Sequence, residues 1–484
     1  MTHTPTGNAG SPDVRRGAGV PVPRGGVPVP PPGGPGPGRR RAWVESAARM
    51  RAAATTEPGR LRIIGAGLAL LVVAFGAVTA WQVNDRSTAA DNVVKHSAPL
   101  SATAAEIYRS LADADATVTG GFLVGGLQPK TVSDRYEDDI TNASTLIAQA
   151  AANSEGSPQA HAQIAALNQQ LPKYVELVTA AQTNNRQGLP VGGAYLRYAN
   201  TQMRKPGGLL SAADKLYQIE TDRLGSDYTR AKALPYVSWA VGAVALGALL
   251  WAQRRHYRRT NRVFNHGMLA ASAASAVVLL WLVAGHTLAR NQLEHSDAHG
   301  ARSMQVLNTA RIGVLQARGD ENLTLVARGS GDAYEKNFTD GMTSLAGPDP
   351  KGVGGVLAQA LQLADDSAGS DPVNAAVKSV QTWRGRHTAE RKSDKAGDYT
   401  TAVAEVIGGK DSSGKDVKDT TGNCFDAVDA SLQQAVTQEQ KEFKSAADNG
   451  RDALAMLPYG AAALAVLAAA GALLGIGRRL SEYR

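Results

Sequence analysis

The clearest chemistry-bearing spacing in this 484-residue chain is the run Glu294-His-Ser-Asp-Ala-His299, which sets His295 and His299 four apart on one helical face. Two imidazoles so placed can share a metal ion. No third ligand is fixed by the sequence, and a solvated helix gives the same letters. His286 falls inside an apolar stretch, where a proton relay would need acidic or basic partners at the same depth; the stretches contain none. It is expected to snorkel or to face an interface. Cys424 is the single cysteine, so an intrachain disulfide is excluded; a buried thiol is the simpler reading and a covalent dimer the other. The chain has no glycine loop followed by Lys and Ser/Thr, no zinc-protease helix and no paired Cys ligands. It is expected not to be an enzyme and to use no cofactor.

The elements that must position these residues are dominated by four apolar stretches, 63–81, 234–252, 268–289 and 457–476, none of which contains Asp, Glu, Lys or Arg. Each is about 20 residues long, which as a helix crosses a hydrocarbon core of roughly 30 Å. An integral membrane protein follows. Arg39, Arg40, Arg41, Arg51, Arg60 and Arg62 precede the first stretch, Arg254, Arg255, Arg258, Arg259 and Arg262 follow the second, and Arg478 and Arg479 follow the fourth. Short basic flanks stay cytoplasmic, so both termini and the central loop are expected inside and the two long intervening regions outside, in a bacterial plasma membrane. The first stretch reads as a retained signal anchor, being too long for a cleaved leader.

The net charge of +8 therefore sits at the membrane edges, and it reports topology, not nucleic-acid binding. The same arginines can hold anionic headgroups of the lipid bilayer or an acidic cytosolic partner. The expected division is a disordered Pro/Gly-rich basic arm at 1–60, spans at 61–82, 234–252, 268–289 and 457–477, a basic loop at 253–267, a tail at 478–484, and outer domains at 83–233 and 290–456.

Both outer domains read as helical. In the first, Ile107, Leu111, Ala114, Val118 and Phe122 share a face, as do Tyr136, Ile140, Ala143, Ile147 and Ala150, then Ile164, Leu167, Leu171, Tyr174 and Val178, then Leu209, Ala213, Leu216, Ile219 and Tyr228. Breaks at 125–129, at Ser157-Pro158 and at 184–190 separate them, and Pro206-Gly-Gly208 is expected to kink or split the fourth helix. The second domain opens on Ala310, Val314, Ala317, Leu323 and Val326 and closes on Phe425, Val428, Leu432, Ala435, Gln438 and Phe443. Landmarks recur in order: Tyr136-Glu137 answers Tyr334-Glu335, and Leu234-Pro-Tyr236 answers Leu457-Pro-Tyr459. An internal duplication of span, bundle, span is expected. The first and last helices of each bundle should run on into the spans and carry movement across the bilayer. Gly471 and Gly475 suit close helix packing, within the chain or in a homo-oligomer.

The segments Tyr108-Arg-Ser-Leu-Ala-Asp-Ala-Asp-Ala116, Gly121-Phe-Leu-Val-Gly125 and Gln316-Ala-Arg-Gly-Asp-Glu-Asn-Leu-Thr-Leu-Val-Ala-Arg328, set between four spans, resemble the GlnX family of actinobacterial membrane sensors. The resemblance implies an all-α membrane protein, four transmembrane helices with two tandem extracytoplasmic four-helix bundles. It implies a sensor of glutamine, glutamate or aspartate that works between an extracytoplasmic solute-binding lipoprotein, GlnH, and a cytosolic Ser/Thr kinase, PknG. The binding protein would hold the amino acid. Candidate outer contacts are Asp113, Asp115, Asp320, Glu321 and Arg328; candidate cytoplasmic contacts are Arg254, Arg255, Arg258, Arg259 and Arg262. The other reading is a non-switching envelope scaffold or assembly protein. A transporter is disfavoured by the uncharged spans.

Overall fold

The computed structural model describes residues 57–126, 128–154, 156–260 and 266–480. Most of the Pro/Gly arm, Arg262 and the end of the tail lie outside them. Of the described residues 87% are helical, and the protein is an all-α membrane protein. Helix α1 (Glu57–Asn92) carries the first apolar stretch and passes through a π-helical turn (Val93–Ser97) into α2 (Ala98–Val124). Helices α3 (Lys130–Asn153), α4 (Pro158–Arg186), α5 (Val191–Arg204) and α6 (Leu209–Ala231) complete the first bundle, and α7 (Tyr236–Thr260) returns through the spans. The second half starts in the same way: α8 (His266–His295), a second π turn (Ser296–Ala301) and α9 (Arg302–Val326). It continues through α10 (Asp332–Ala346), α11 (Gly355–Leu363), α12 (Ser367–Lys395), α13 (Tyr399–Ile407), a short hairpin of β1 (Gly409–Lys410) and β2 (Asp416–Val417), α14 (Thr421–Ala455) and α15 (Leu457–Leu480).

Local chemistry explains the boundaries. Gly125 and Gly126 adopt φ of 69° and 58°, a region open to glycine, and end α2 just before Pro129. Ser157 accepts from Ala160 N at the start of α4, with Pro158 as its first helical residue. Pro206-Gly-Gly208 splits the fourth apolar stripe, as expected, into α5 and α6.

Among the described residues, four helices are long and apolar enough to cross a membrane. Leu68 and Val72 of α1, Leu249 of α7, Met268 and Ala271 of α8, and Ala468 and Ala472 of α15 pack into one buried cluster. Leu70 and Leu474, each 72% exposed, point outward, the position a lipid-facing side chain takes. Gly471 and Gly475 serve contact within the chain: a Cβ on Gly267 of α8 would lie 2.5 Å from both Gly471 O and Gly475 Cα.

Residues of both bundles form one continuous hydrophobic cluster, from Ile107 and Leu167 through to Trp383 and Leu432. The cause is that α2 and α9 lie side by side and each is covered on most of its circumference, as a helix shared by two bundles must be. One expectation, on helix continuity, is corrected: the helices leading back toward the membrane are not continuous with the spans. Residues 232–235 separate α6 from α7, because Pro235 has no N–H to continue the ladder, and a break at Met456 separates α14 from α15. Only the outgoing pairs α1–α2 and α8–α9 run on, each through a π turn.

Candidate functional site

Polar residues on α2 and α9 face each other inside the shared core. Asp115 of α2 is 1% exposed; it accepts from Asn200 Nδ2 at 2.8 Å and from the Tyr174 hydroxyl at 3.4 Å, and Arg204 Nε stands 3.4 Å away. From α5, Arg204 crosses to the other bundle, where Nη1 meets Asp320 Oδ1 at 2.7 Å and Nη2 donates to Gln316 O at 3.2 Å. Gln316 Nε2 donates to the Tyr108 hydroxyl at 2.8 Å, and Asn322 Nδ2 donates to Ala116 O at 3.2 Å. Small residues permit this closeness: a Cβ on Gly319 would lie 2.5 Å from Arg204 Nη2, and one on Gly120 3.2 Å from Asn322 Nδ2. Burial raises the Asp115 and Asp320 carboxyls above the usual range, with Arg204 opposing that rise at each.

The seam continues into the second bundle. Glu321, fully buried, pairs with Arg318 Nη1 at 2.6 Å and accepts from Thr421 Oγ1 at 3.0 Å and Trp383 Nε1 at 2.9 Å. Its Oε1 is 3.0 Å from His387 Nδ1, while His387 Nε2 is 3.2 Å from Glu335 and Arg391 Nε 3.0 Å from the same carboxylate. Phe338 stacks on the imidazole with ring centroids 3.7 Å apart. Burial works against a charged His387, yet hydrogen bonds to Glu321 and Glu335 raise it to about 9. Burial lifts Glu390, beside it, to about 8. A buried ionic network of this kind adds little net stability but specifies one register of the helices that share it, because any other register strands charges in the core.

Two cavities open along the contact of the halves. One, of about 440 Å³, is lined by Asp113, Arg135, Arg318, Asn322, Phe425 and Asp426. The other, of about 690 Å³, lies where both π turns meet α6 and α14, and Val94, Tyr217, Lys232, Asp297, Met304 and Phe443 line it. Both volumes suit a small ligand. Around the second cavity, Tyr228 Oη is 2.6 Å from Ser296 Oγ, which donates to Phe443 O at 3.1 Å; Lys232 meets Asp297 at 2.7 Å. At the broken return, Arg86 of α1 donates to the carbonyls of Ala233 and Leu234, and Gln82 Oε1 accepts from Ser238 N at 3.0 Å.

The expected outer contacts are thus placed differently. Asp113, Asp115, Asp320 and Glu321 are buried, since each finds an ionic or hydrogen-bonding partner in the core, so in this conformation they do not present a surface to another protein. Arg328 alone of the five is exposed; it has φ of 41° and lies over the Tyr399 ring at 4.5 Å. On α7, Arg254 and Arg258 are exposed and Arg255 lies over Trp251 at 5.4 Å; Arg259 is in the last turn of that helix. Cys424 is buried, which disfavours the covalent dimer, and His286 is 1% exposed, turned to protein and not to lipid. Sequence reasoning missed Arg204, Trp383, His387 and Glu335. The available signal was a charge adjoining the Pro206 break and a histidine four residues after a tryptophan on a helix with an apolar stripe.

No curated protein and no solved structure matches this chain. Residues 89–229, from the last turn of α1 to the last turn of α6, match the Actinobacterial sensor domain family, and this region is the whole first bundle with its π turn. The match supports an actinobacterial sensor protein with a sensing or signalling role.

Proposed function

We propose that this chain is a transmembrane sensor that relays extracytoplasmic availability of glutamine, glutamate or aspartate, received through a solute-binding lipoprotein, to a cytosolic Ser/Thr kinase. One observation carries the switching part of this reading: the buried seam from Asp115 through Arg204 to Asp320 joins two helices, α2 and α9, that each continue through a π turn into a span. π turns are commonly retained at functional sites, and a second packing that repairs the seam differently would make it a two-state element. A partner that favours another packing of the bundles shifts that equilibrium and moves α1 and α8 with it.

The basic flanks support a topology with the bundles outside and Arg254, Arg255, Arg258, Arg259 and Arg262 inside, where they would serve as a contact for the cytosolic partner. The loop between α7 and α8 is too short to fold alone, so the signal passes to a separate protein. The ligand and partner classes rest on the sequence resemblance.

The test is affinity purification of the tagged, detergent-solubilised protein from its host, with and without each amino acid. Recovery of a solute-binding lipoprotein and a kinase, with association altered by the amino acid and abolished in Arg204→Met, supports the relay. Recovery of envelope-assembly proteins alone, indifferent to amino acid, replaces it with a scaffold.

A further inference from the structure

The histidines singled out by spacing hold a turn: His295 Nε2 stands 3.7 Å from Asp365 Oδ2, and His299 Nδ1 is 3.4 Å from Leu363 O. A different histidine borders a cavity. Between α10 and α12 of the second bundle lies a space of about 570 Å³, walled by one face of α12 on which Arg384, His387, Arg391 and Lys395 follow at spacings of three, four and four, with Lys392 beside them. Like charges so spaced on a helix repel one another. Against these five basic side chains the lining offers one carboxylate, Glu335 of α10.

That carboxylate is already shared, by His387 at 3.2 Å and Arg391 at 3.0 Å. Burial works to raise the Glu335 carboxyl, yet His387, Arg391 and Lys395 together hold it below its usual range. Arg391 has a second partner in Asp394 at 2.6 Å, which does not line the cavity. Among the described residues, Arg384, Lys392 and Lys395 make no ion pair. Arg384 is nonetheless fixed, since its guanidinium donates to the carbonyl of Met342, to Gly347 O at 2.7 Å and to Asp349 O at 3.2 Å. Carbonyls hold the group in place and leave its charge uncompensated. The cavity is thus built short of negative charge.

We infer that this cavity binds a small dicarboxylate, one carboxylate on Arg384 and the other on Arg391, Lys392 and Lys395, with the carbon chain over Phe338 and Met342. Two anionic groups are required because Arg384 and Arg391 stand seven residues apart, roughly 10 Å along the helix axis, which one compact anion does not span. Phe338 and Met342, 3% and 2% exposed, give the cavity an apolar surface that inorganic anions do not use. Occupancy reaches the seam through one side chain, since His387 Nδ1 is also 3.0 Å from Glu321 of α9. The cavity lies outside residues 89–229, and the inference does not rest on the amino-acid relay.

The experiment titrates the full-length protein in detergent calorimetrically, in Tris chloride near neutral pH and at fixed ionic strength, with glutarate, butyrate and inorganic phosphate. The wild type is expected to bind one glutarate saturably and to melt at higher temperature with it. Butyrate, which lacks the second carboxylate, and phosphate, which lacks the chain, should each bind at least about tenfold more weakly. The double variant Lys392→Gln, Lys395→Gln should weaken glutarate about tenfold and melt without ligand as the wild type does, because both lysines are exposed and make no ion pair. Lys378→Gln, which removes an exposed charge from α12 outside the cavity, should leave glutarate binding unchanged. The inference is overturned if glutarate does not bind saturably, if butyrate or phosphate binds as tightly, or if Lys378→Gln weakens glutarate as much as the double variant.

Discussion

Arg204 and Asp320 belong to different bundles, yet Nη1 of one lies 2.7 Å from Oδ1 of the other, and the same guanidinium also serves the fully buried Asp115. One cation thus neutralises two carboxylates across the contact. Replacing it by Met strands both, and removing one member of a buried ionic group costs about 3–5 kcal/mol. Arg204→Met should lose that much on chemical denaturation of the solubilised protein. The triple variant Arg204→Met, Asp115→Asn, Asp320→Asn should recover most of it, because no uncompensated charge remains. If the triple variant is as unstable as the single one, the seam acts through shape and not charge.

Gly300 sits in the second π turn, where a Cβ would stand 2.8 Å from Phe443 Cβ and 2.9 Å from Phe443 Cα. The obstacle is partly backbone, so rotamer change cannot relieve it and α14 must move. Gly300→Ala should cost about 1–3 kcal/mol, the range for overpacking. Hydrogen exchange should quicken around Phe443 on α14 more than in the first bundle. Equal quickening in both would mean that the π turn is not a local contact.

The parts of this architecture legible from sequence are those set by one-dimensional periodicity. The four spans, the stripe Ile164, Leu167, Leu171, Tyr174 and Val178, now buried along α4, and the split at Pro206-Gly-Gly208 all follow from residue spacing alone. The seam does not. Asp115 and Glu321 look like solvated charges, because their neutralisers, Arg204 and Arg318 with His387, arrive from other turns and other helices. Burial all round α2 and α9 comes from packing two bundles together, which no single amphipathic stripe reports. The continuity expected from α6 into α7 failed at Pro235 for a local reason that was present in the sequence, but the residue that repairs it, Arg86, is far away along the chain.

His387 offers a pH test with a definite sign. Hydrogen bonds to Glu321 and Glu335 outweigh burial and raise it from 6.5 to about 9. A group whose folded value is raised stabilises fully below its unfolded value, and that contribution is lost as pH climbs through the folded one. The window is therefore about pH 6.5 to 9, and the contribution is on the order of 3 kcal/mol. Glu390, raised to about 8 chiefly by burial, acts in the same direction from lower pH. Wild-type stability should fall across this window, and His387→Gln should flatten the fall. Parallel pH curves for the two proteins would place the titrating group elsewhere.

Arg86 holds the place where the first bundle rejoins the membrane. It is 7% exposed on α1 and donates to the carbonyls of Ala233 and Leu234, which the break before Pro235 leaves without helical partners. Arg86→Leu removes the donors; Leu234 O keeps Tyr236 N at 2.9 Å, so the loss falls on Ala233 O, at about 1–3 kcal/mol for a buried carbonyl left without its donor. Arg86→Lys should fall between, since an ammonium lacks the fork that reaches both oxygens in one plane. Hydrogen exchange over residues 232–240 should rise in the order wild type, Lys, Leu, while the seam at Asp115 stays protected. If the signal travels from α2 through α1 to α7, Arg86→Leu should also abolish the effect of amino acid on partner association, even though both bundles remain folded. A variant that loses the local protection but keeps that response would show that the return helix is not part of the path, and would leave the α8–α9 continuity as the route across the membrane.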